Sequence, residues 1–202
     1  MGYMLLHRKA ELGAAFRAVA EKTLHGHPKA LQAVLEHYSL TESAEGTVTP
    51  EQTFSRVLRF ISDVGFLVPA VELAVRFPGT SYVYAFNERN PWDGLFKGQA
   101  SHILDVAFIF QNYNEHLDEA QRVAAETFGQ DIIVFANGGA PWPSFNGGNH
   151  GVAVYEGGKR EFAEPPAPET TKRDPFIFTV QKEMGVTADE LMAIFNNLIM
   201  SH

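Results

Sequence analysis

Tyr82-Val-Tyr-Ala-Phe-Asn-Glu-Arg-Asn-Pro-Trp-Asp-Gly94, followed by Gly98-Gln-Ala-Ser-His102-Ile-Leu-Asp105-Val-Ala-Phe-Ile-Phe110, is the stretch on which the reading of this chain turns. Residues 81–86 combine β-branched and aromatic side chains with little polar surface, as expected of a core strand covered on both faces. A loop rich in Asn, Pro and Gly follows, and it carries a single histidine, His102. An apolar run then begins, with an acid, Asp105, three residues past that histidine.

Outward from this stretch the chain reads as mostly helical. Residues 4–23 show helical periodicity, with Leu5, Leu12, Phe16 and Val19 on one face. Pro28 opens a shorter helix over residues 28–38. Thr49-Pro50-Glu51-Gln52 has the form of a capping box with proline in the first turn, and Phe54, Val57, Leu58, Ile61 and Val68 mark the buried face that follows. Pro69 breaks or kinks that helix, which is expected to resume toward Phe77. Residues 118–136 fit two descriptions, since Asp131-Ile-Ile-Val-Phe-Ala136 alone reads as a strand. The helical spacing of Ala124, Phe128, Ile132 and Phe135 favours a helix. A loop over residues 137–151, a short strand at about 152–155 and an extended linker over 163–173 come next. A second capping box at Thr187-Ala-Asp-Glu190 opens a final helix with Leu191, Ile194, Phe195 and Leu198 on one face.

Composition narrows the functional classes. The formal net charge is −8, and the 16 Lys and Arg residues form no basic cluster, which argues against a nucleic-acid surface and an anionic-membrane binder. No apolar run reaches the ~18 residues that a membrane span needs. The N-terminus lacks the layout of a secretory signal, and localisation is left open. With no cysteine there are neither disulfides nor thiolate metal sites. No cofactor is implied, and His25-Gly26-His27 reads as a solvated turn rather than half of a metal site.

The residue types capable of acid–base work are few. A serine nucleophile for ester hydrolysis normally sits at a Gly-x-Ser-x-Gly turn, whose small neighbours permit a strained strand-to-helix bend. Gly79-Thr80-Ser81-Tyr82-Val83 is the nearest approach, but it ends in Val and leads into a strand. Ser101 and Ser144 have no such setting. His150 lies in Gly147-Gly-Asn-His-Gly151, without the lysine of a phosphate loop, and reads as a surface loop.

Several of these segments together resemble type B carboxylesterases, the cholinesterase-like branch of the α/β-hydrolases. The Tyr82–Phe110 stretch looks like that family's last core strand and catalytic-histidine loop. Ile61-Ser-Asp63-Val-Gly-Phe66-Leu-Val-Pro69 is similar to its Asp-x-x-Phe-x-x-Pro helix. Phe135-Ala-Asn-Gly138 with Pro141-Trp142-Pro143-Ser-Phe145 is similar to its Trp-Pro-x-aromatic turn, and the spacing from Asn90 to Gly94 is particularly like fungal members.

The resemblance implies an α/β class, with residues 1–202 forming the C-terminal part of an α/β-hydrolase domain. That part is mostly helical, with one core strand at about 81–86 and an incomplete central sheet. It implies that His102 stands at the general-base position, that Asp105 and Asp63 are structural acids, and that the aromatic turn at Trp142–Phe145 is packing. The family's acid precedes a Gly that opens a helix; here Met1 precedes Gly2. The serine elbow, the oxyanion loop and the earlier strands are therefore expected upstream.

An ester is the substrate expected of the complete fold, and an upstream segment or a partner is expected to complete the sheet. An isolated chain of this kind is expected to be inactive and poorly soluble, because an apolar edge strand invites pairing. Two other readings stand beside this one. One is a non-catalytic interaction module derived from the same fold. The other is an acid–base enzyme pairing His102 with Asp105 or Glu115.

Overall fold

A computed structural model describes residues 5–44, 47–145, 151–163 and 174–200. In chain order the helices are α1 (Leu12–Thr23), α2 (Pro28–His37), α3 (Pro50–Ser62) and α4 (Val68–Arg76). Strand β1 (Val83–Phe86), α5 (Leu104–Phe110), α6 (Glu119–Ala136), β2 (Val152–Glu156) and β3 (Lys159–Ala163) follow. Helices α7 (Phe176–Met184) and α8 (Ala188–Met200) close the chain. Helix outweighs strand, and the sheet is small, three-stranded and mixed.

The chain divides into two compact units, residues 1–70 with 175–202, and residues 71–174. The first is helical. Its core joins Leu12, Phe16, Val34, Val57, Phe60, Ile177, Leu191 and Leu198, all fully buried, with the Phe16 and Phe60 rings edge to face at 4.9 Å. Both expected capping boxes form. Thr49 and Gln52 exchange side-chain and backbone hydrogen bonds at the start of α3, and Thr187 and Glu190 do so ahead of α8.

One helix boundary differs from the sequence reading. Residues 6–8 wind only as a 3₁₀ turn, and α1 proper begins at Leu12 without a side-chain cap. No Ser, Thr, Asp or Asn stands before Leu5 to anchor an earlier start. Around Pro69 the regular helix is interrupted and then resumes to Arg76, as the sequence reading expected. Residues Asp63–Leu67 form a π turn in which Val68 N–H reaches back to the Asp63 carbonyl, and the chain continues as α4. Widening the turn relieves the clash between the proline ring and the carbonyl four residues earlier.

The second unit is built around the sheet β1-β2-β3. β1 and β2 run parallel, with Val83 beside Val152 and Phe86 beside Tyr155. β2 and β3 form an antiparallel hairpin through Gly157-Gly158. Both glycines have positive φ, 60° and 79°, the geometry of a two-residue type I′ turn. Gly158 is required for a second reason, since a Cβ there would lie 2.7 Å from the Ala120 carbonyl oxygen.

β1 is shorter than expected, because Ser81 bonds outside the sheet. Its hydroxyl donates to the Ala74 carbonyl, and its own carbonyl accepts Phe145 N–H. It is also less covered than expected. Tyr84 is 36 % exposed, as befits the first strand of the sheet rather than an inner one. Residues 118–136 are helical as read, and Asp118 and Gln121 form a third capping box at the start of α6. Of the linker expected over 163–173, Ala163 ends β3 and the remainder lies outside the described residues.

Candidate functional site

His102 is exposed, on the turn that links the loop after β1 to α5. This turn is strained. Ile103, the next residue, has φ +72° and ψ 0°, a left-handed conformation that a β-branched side chain adopts only at a cost of roughly 1–3 kcal/mol. The flip reverses the chain's course, so that Leu104 N–H bonds the Ser101 carbonyl and the Ile103 carbonyl accepts the first helical N–H groups. His102 therefore stands at the head of a helix beyond the carboxyl end of a parallel strand.

The loop ahead of His102 is closed at a neck between Asn90 and Gln99. Asn90 N–H donates to the Gln99 carbonyl at 3.0 Å, and Gly98 N–H to the Asn90 carbonyl at 2.8 Å. Within the loop, Trp92 N–H bonds the Asn90 side chain at 2.8 Å, an Asx turn suited to Asn-Pro. Three bonds fasten the segment ahead of the neck to other elements. Asn87 N–H donates to the Tyr155 carbonyl, Gly158 N–H to Glu88 Oε1 at 2.8 Å, and Gln121 Nε2–H to the Arg89 carbonyl at 2.6 Å.

Asp105 lies on the first turn of α5, where its Oδ2 accepts the Tyr84 hydroxyl at 2.8 Å. Burial and the adjoining Asp105 charge push the Tyr84 phenol above its ordinary range, so it remains a neutral donor. The other acid considered as a partner for His102, Glu115, faces His116 at 3.6 Å. Ser81 follows a helix and enters a strand, the reverse of a nucleophile elbow, and its hydroxyl is taken by the Ala74 carbonyl.

The remaining sequence candidates have structural surroundings. Asp63 is buried and accepts the Tyr38 hydroxyl at 2.8 Å. His25 Nδ1 lies 3.3 Å from the Lys22 carbonyl, and His27 Nε2 lies 3.3 Å from Glu190 Oε1. Among the described residues no three His, Asp or Glu side chains converge as metal ligands. Trp142 and Phe145 are buried in the apolar clusters of the second unit. Met1, Gly2 and His150 lie outside the described residues.

Two buried acids escaped the sequence reading. Asp131, on α6, accepts the Tyr155 hydroxyl from β2 at 2.6 Å and pairs with Arg160 on β3. It ties the helix to both strands, and burial with the Asp131 charge pushes the Tyr155 phenol well above its usual range. One signal was available: Asp131 is a lone charge at helical spacing within an apolar run. Glu88, 3 % exposed, had no comparable signal, because in Asn87-Glu-Arg-Asn90 it sits among polar neighbours.

An exposed imidazole can take a proton from a group presented to it and return it. Comparison by sequence finds no family model and no curated protein that matches the chain.

Proposed function

We propose that this chain is the histidine-bearing, C-terminal part of a carboxylesterase-like serine hydrolase, with His102 as general base for the hydrolysis of carboxylic esters. The observation that carries the reading is the exposed imidazole on a strained turn past the carboxyl end of parallel strand β1. In open α/β sheets ligands bind at the carboxyl ends of strands, and backbone strain gathers at functional sites. The motif resemblance across residues 61–145 points the same way. The 202 residues contain no Gly-x-Ser-x-Gly, so the nucleophile and the triad acid come from another segment, and the chain alone is inactive.

The test uses two proteins. The purified chain, treated with a fluorophosphonate probe and with p-nitrophenyl butyrate, is expected to show neither serine labelling nor hydrolysis. The longest in-frame product containing these residues is expected to hydrolyse the ester, with His102→Ala lowering kcat by roughly 10³-fold or more. Labelling of a serine in the 202-residue chain, or hydrolysis by the longer product that ignores His102→Ala, would overturn the reading.

A second reading, a non-catalytic interaction module, is favoured by the apolar side chains left in solvent in the second unit: Leu73, Phe110 and Ile133 are each more than 60 % exposed. A complex recovered from cells that survives His102→Ala, combined with an inactive longer product, would select it. No helix among the described residues is long and apolar enough to cross a membrane.

A further inference from the structure

We propose that Glu88 is the latch of the 90–99 loop, a buried carboxyl that ties the neck of that loop, three residues before His102, to the β2–β3 turn and makes it sensitive to pH. The inference rests on the reading of His102 as a general base, but its physical content does not need catalysis. Glu88 is two residues before Asn90, whose paired bonds to Gly98 and Gln99 close the loop three residues before His102. Its Oε1 accepts Gly158 N–H across seventy residues of chain, binding the neck to the β2–β3 turn. The next carbonyl, that of Arg89, is held by Gln121 at the start of α6. Glu88 thus lies where the turn of the hairpin, the start of α6 and the root of the loop come together.

Its surroundings favour the neutral acid. Burial is the largest influence and pushes the carboxyl above the usual carboxylate range, against the pull of the Gly158 N–H. Asp118, the N-cap of α6, and Glu156, at the end of β2, are the charged groups that act on it, and both push the same way. A neutral carboxyl still accepts Gly158 N–H, so the latch holds when Glu88 is protonated. The sign follows from linkage. The unfolded chain ionises Glu88 at the ordinary value of 4.5, and the folded chain only at a higher pH. Stability is therefore greatest below 4.5 as far as Glu88 is concerned. It falls as pH rises from there through the elevated folded value, and levels off above it.

The experiment compares wild type, Glu88→Gln and Glu88→Ala in the full chain. It measures thermal midpoints across pH 4–8 and amide exchange at Asn90, Gly98 and Gly158. Gln keeps an acceptor for Gly158 and never ionises. Glu88→Gln is expected to match wild type near pH 4 and to exceed its midpoint at pH 8. Its neck amides are expected to stay protected where wild type loses about tenfold for each pKa unit of elevation. Glu88→Ala is expected to lose protection at Gly158 throughout.

A Gln variant that is less stable than wild type at pH 8, or that shares its pH slope, would overturn the proposal. If the longer product depends on His102 while the Glu88→Gln profile is unchanged from wild type, the esterase reading stands and the latch falls. The reverse pair of results keeps the latch and removes the esterase.

Discussion

The helical unit and the sheet-bearing unit treat their apolar residues in opposite ways. The first gathers Leu12, Phe16, Val57, Phe60, Ile177 and Leu191 into one continuous core, and of its large apolar side chains described only Phe66 and Met200 remain exposed. The second divides its interior among three smaller clusters and leaves Leu73, Val75, Phe77, Ile103, Phe110, Ile133 and Phe135 in contact with solvent. Buried polar pairs are correspondingly more prominent there, with Asp131, Arg160 and Tyr155 linking α6 to two strands. A unit that can close an apolar core is held by that core. A unit that cannot depends more on specific hydrogen bonds and on whatever covers its exposed faces.

Four substitutions test this contrast. Phe60→Ala, in the middle of the helical core, is expected to cost about 3–5 kcal/mol by urea denaturation. That is a large part of a typical domain's net 5–15 kcal/mol; a cost near 1 kcal/mol would mean that the core is loosely packed.

Asp131→Ala comes next. It leaves the buried Tyr155 hydroxyl without its acceptor and Arg160 without its carboxylate. Breaking a fully buried pair costs ~3–5 kcal/mol, and the 30 % exposure of the Arg160 side chain reduces this to about 2–3. A smaller loss than that of an ordinary surface change would show that the sheet unit does not rely on its polar pairs.

Thr187→Ala removes one side of the α8 capping box, for about 1 kcal/mol. The backbone and hydroxyl bonds from Thr187, with the nearby His27, hold the Glu190 carboxyl below the ordinary 4.5. That contribution is present above pH 4.5 and is lost as pH falls through the lower folded value, so the variant's acid-side slope should be shallower than that of wild type.

The smallest effect is expected from Ile133→Ser on the exposed side of α6. Stability should change by no more than about 0.5 kcal/mol, while sedimentation velocity shows less self-association than wild type. A loss above 1 kcal/mol (about a tenth of a typical domain's stability) would mean that the exposed face is part of a core after all.

The legibility of the fold in the sequence varied with how local the governing interactions are. Thr49-x-x-Gln52 and Thr187-x-x-Glu190 announced their helices because a cap is made within four residues. The helix over 118–136 was legible from spacing, although Phe135 proved half exposed and touches Tyr82 edge to face. β3 was missed, because Lys159-Arg-Glu-Phe-Ala163 is too charged to resemble a core strand. The neighbouring Gly157-Gly158 was the hairpin signal that could have revealed it. Among the candidate site residues, His102 stood out as the single histidine in a loop between two apolar segments. Glu88 did not, since its burial comes from elements distant in sequence.

Residue order alone was enough to place α1, α2, α3, α4, α6 and α8, to mark a strand within residues 81–86 and to single out His102 as a candidate, because caps, periodicity and turn residues act over a few positions. The long-range pairings came only with folding. The π turn that carries the helix past Pro69, the parallel seating of β1 on β2, the left-handed turn at Ile103 and the enclosure of Glu88 beneath Gly158 each join or reshape segments whose partners no local window contains. Packing of one surface against another sets those features, and that is a property of the assembled chain.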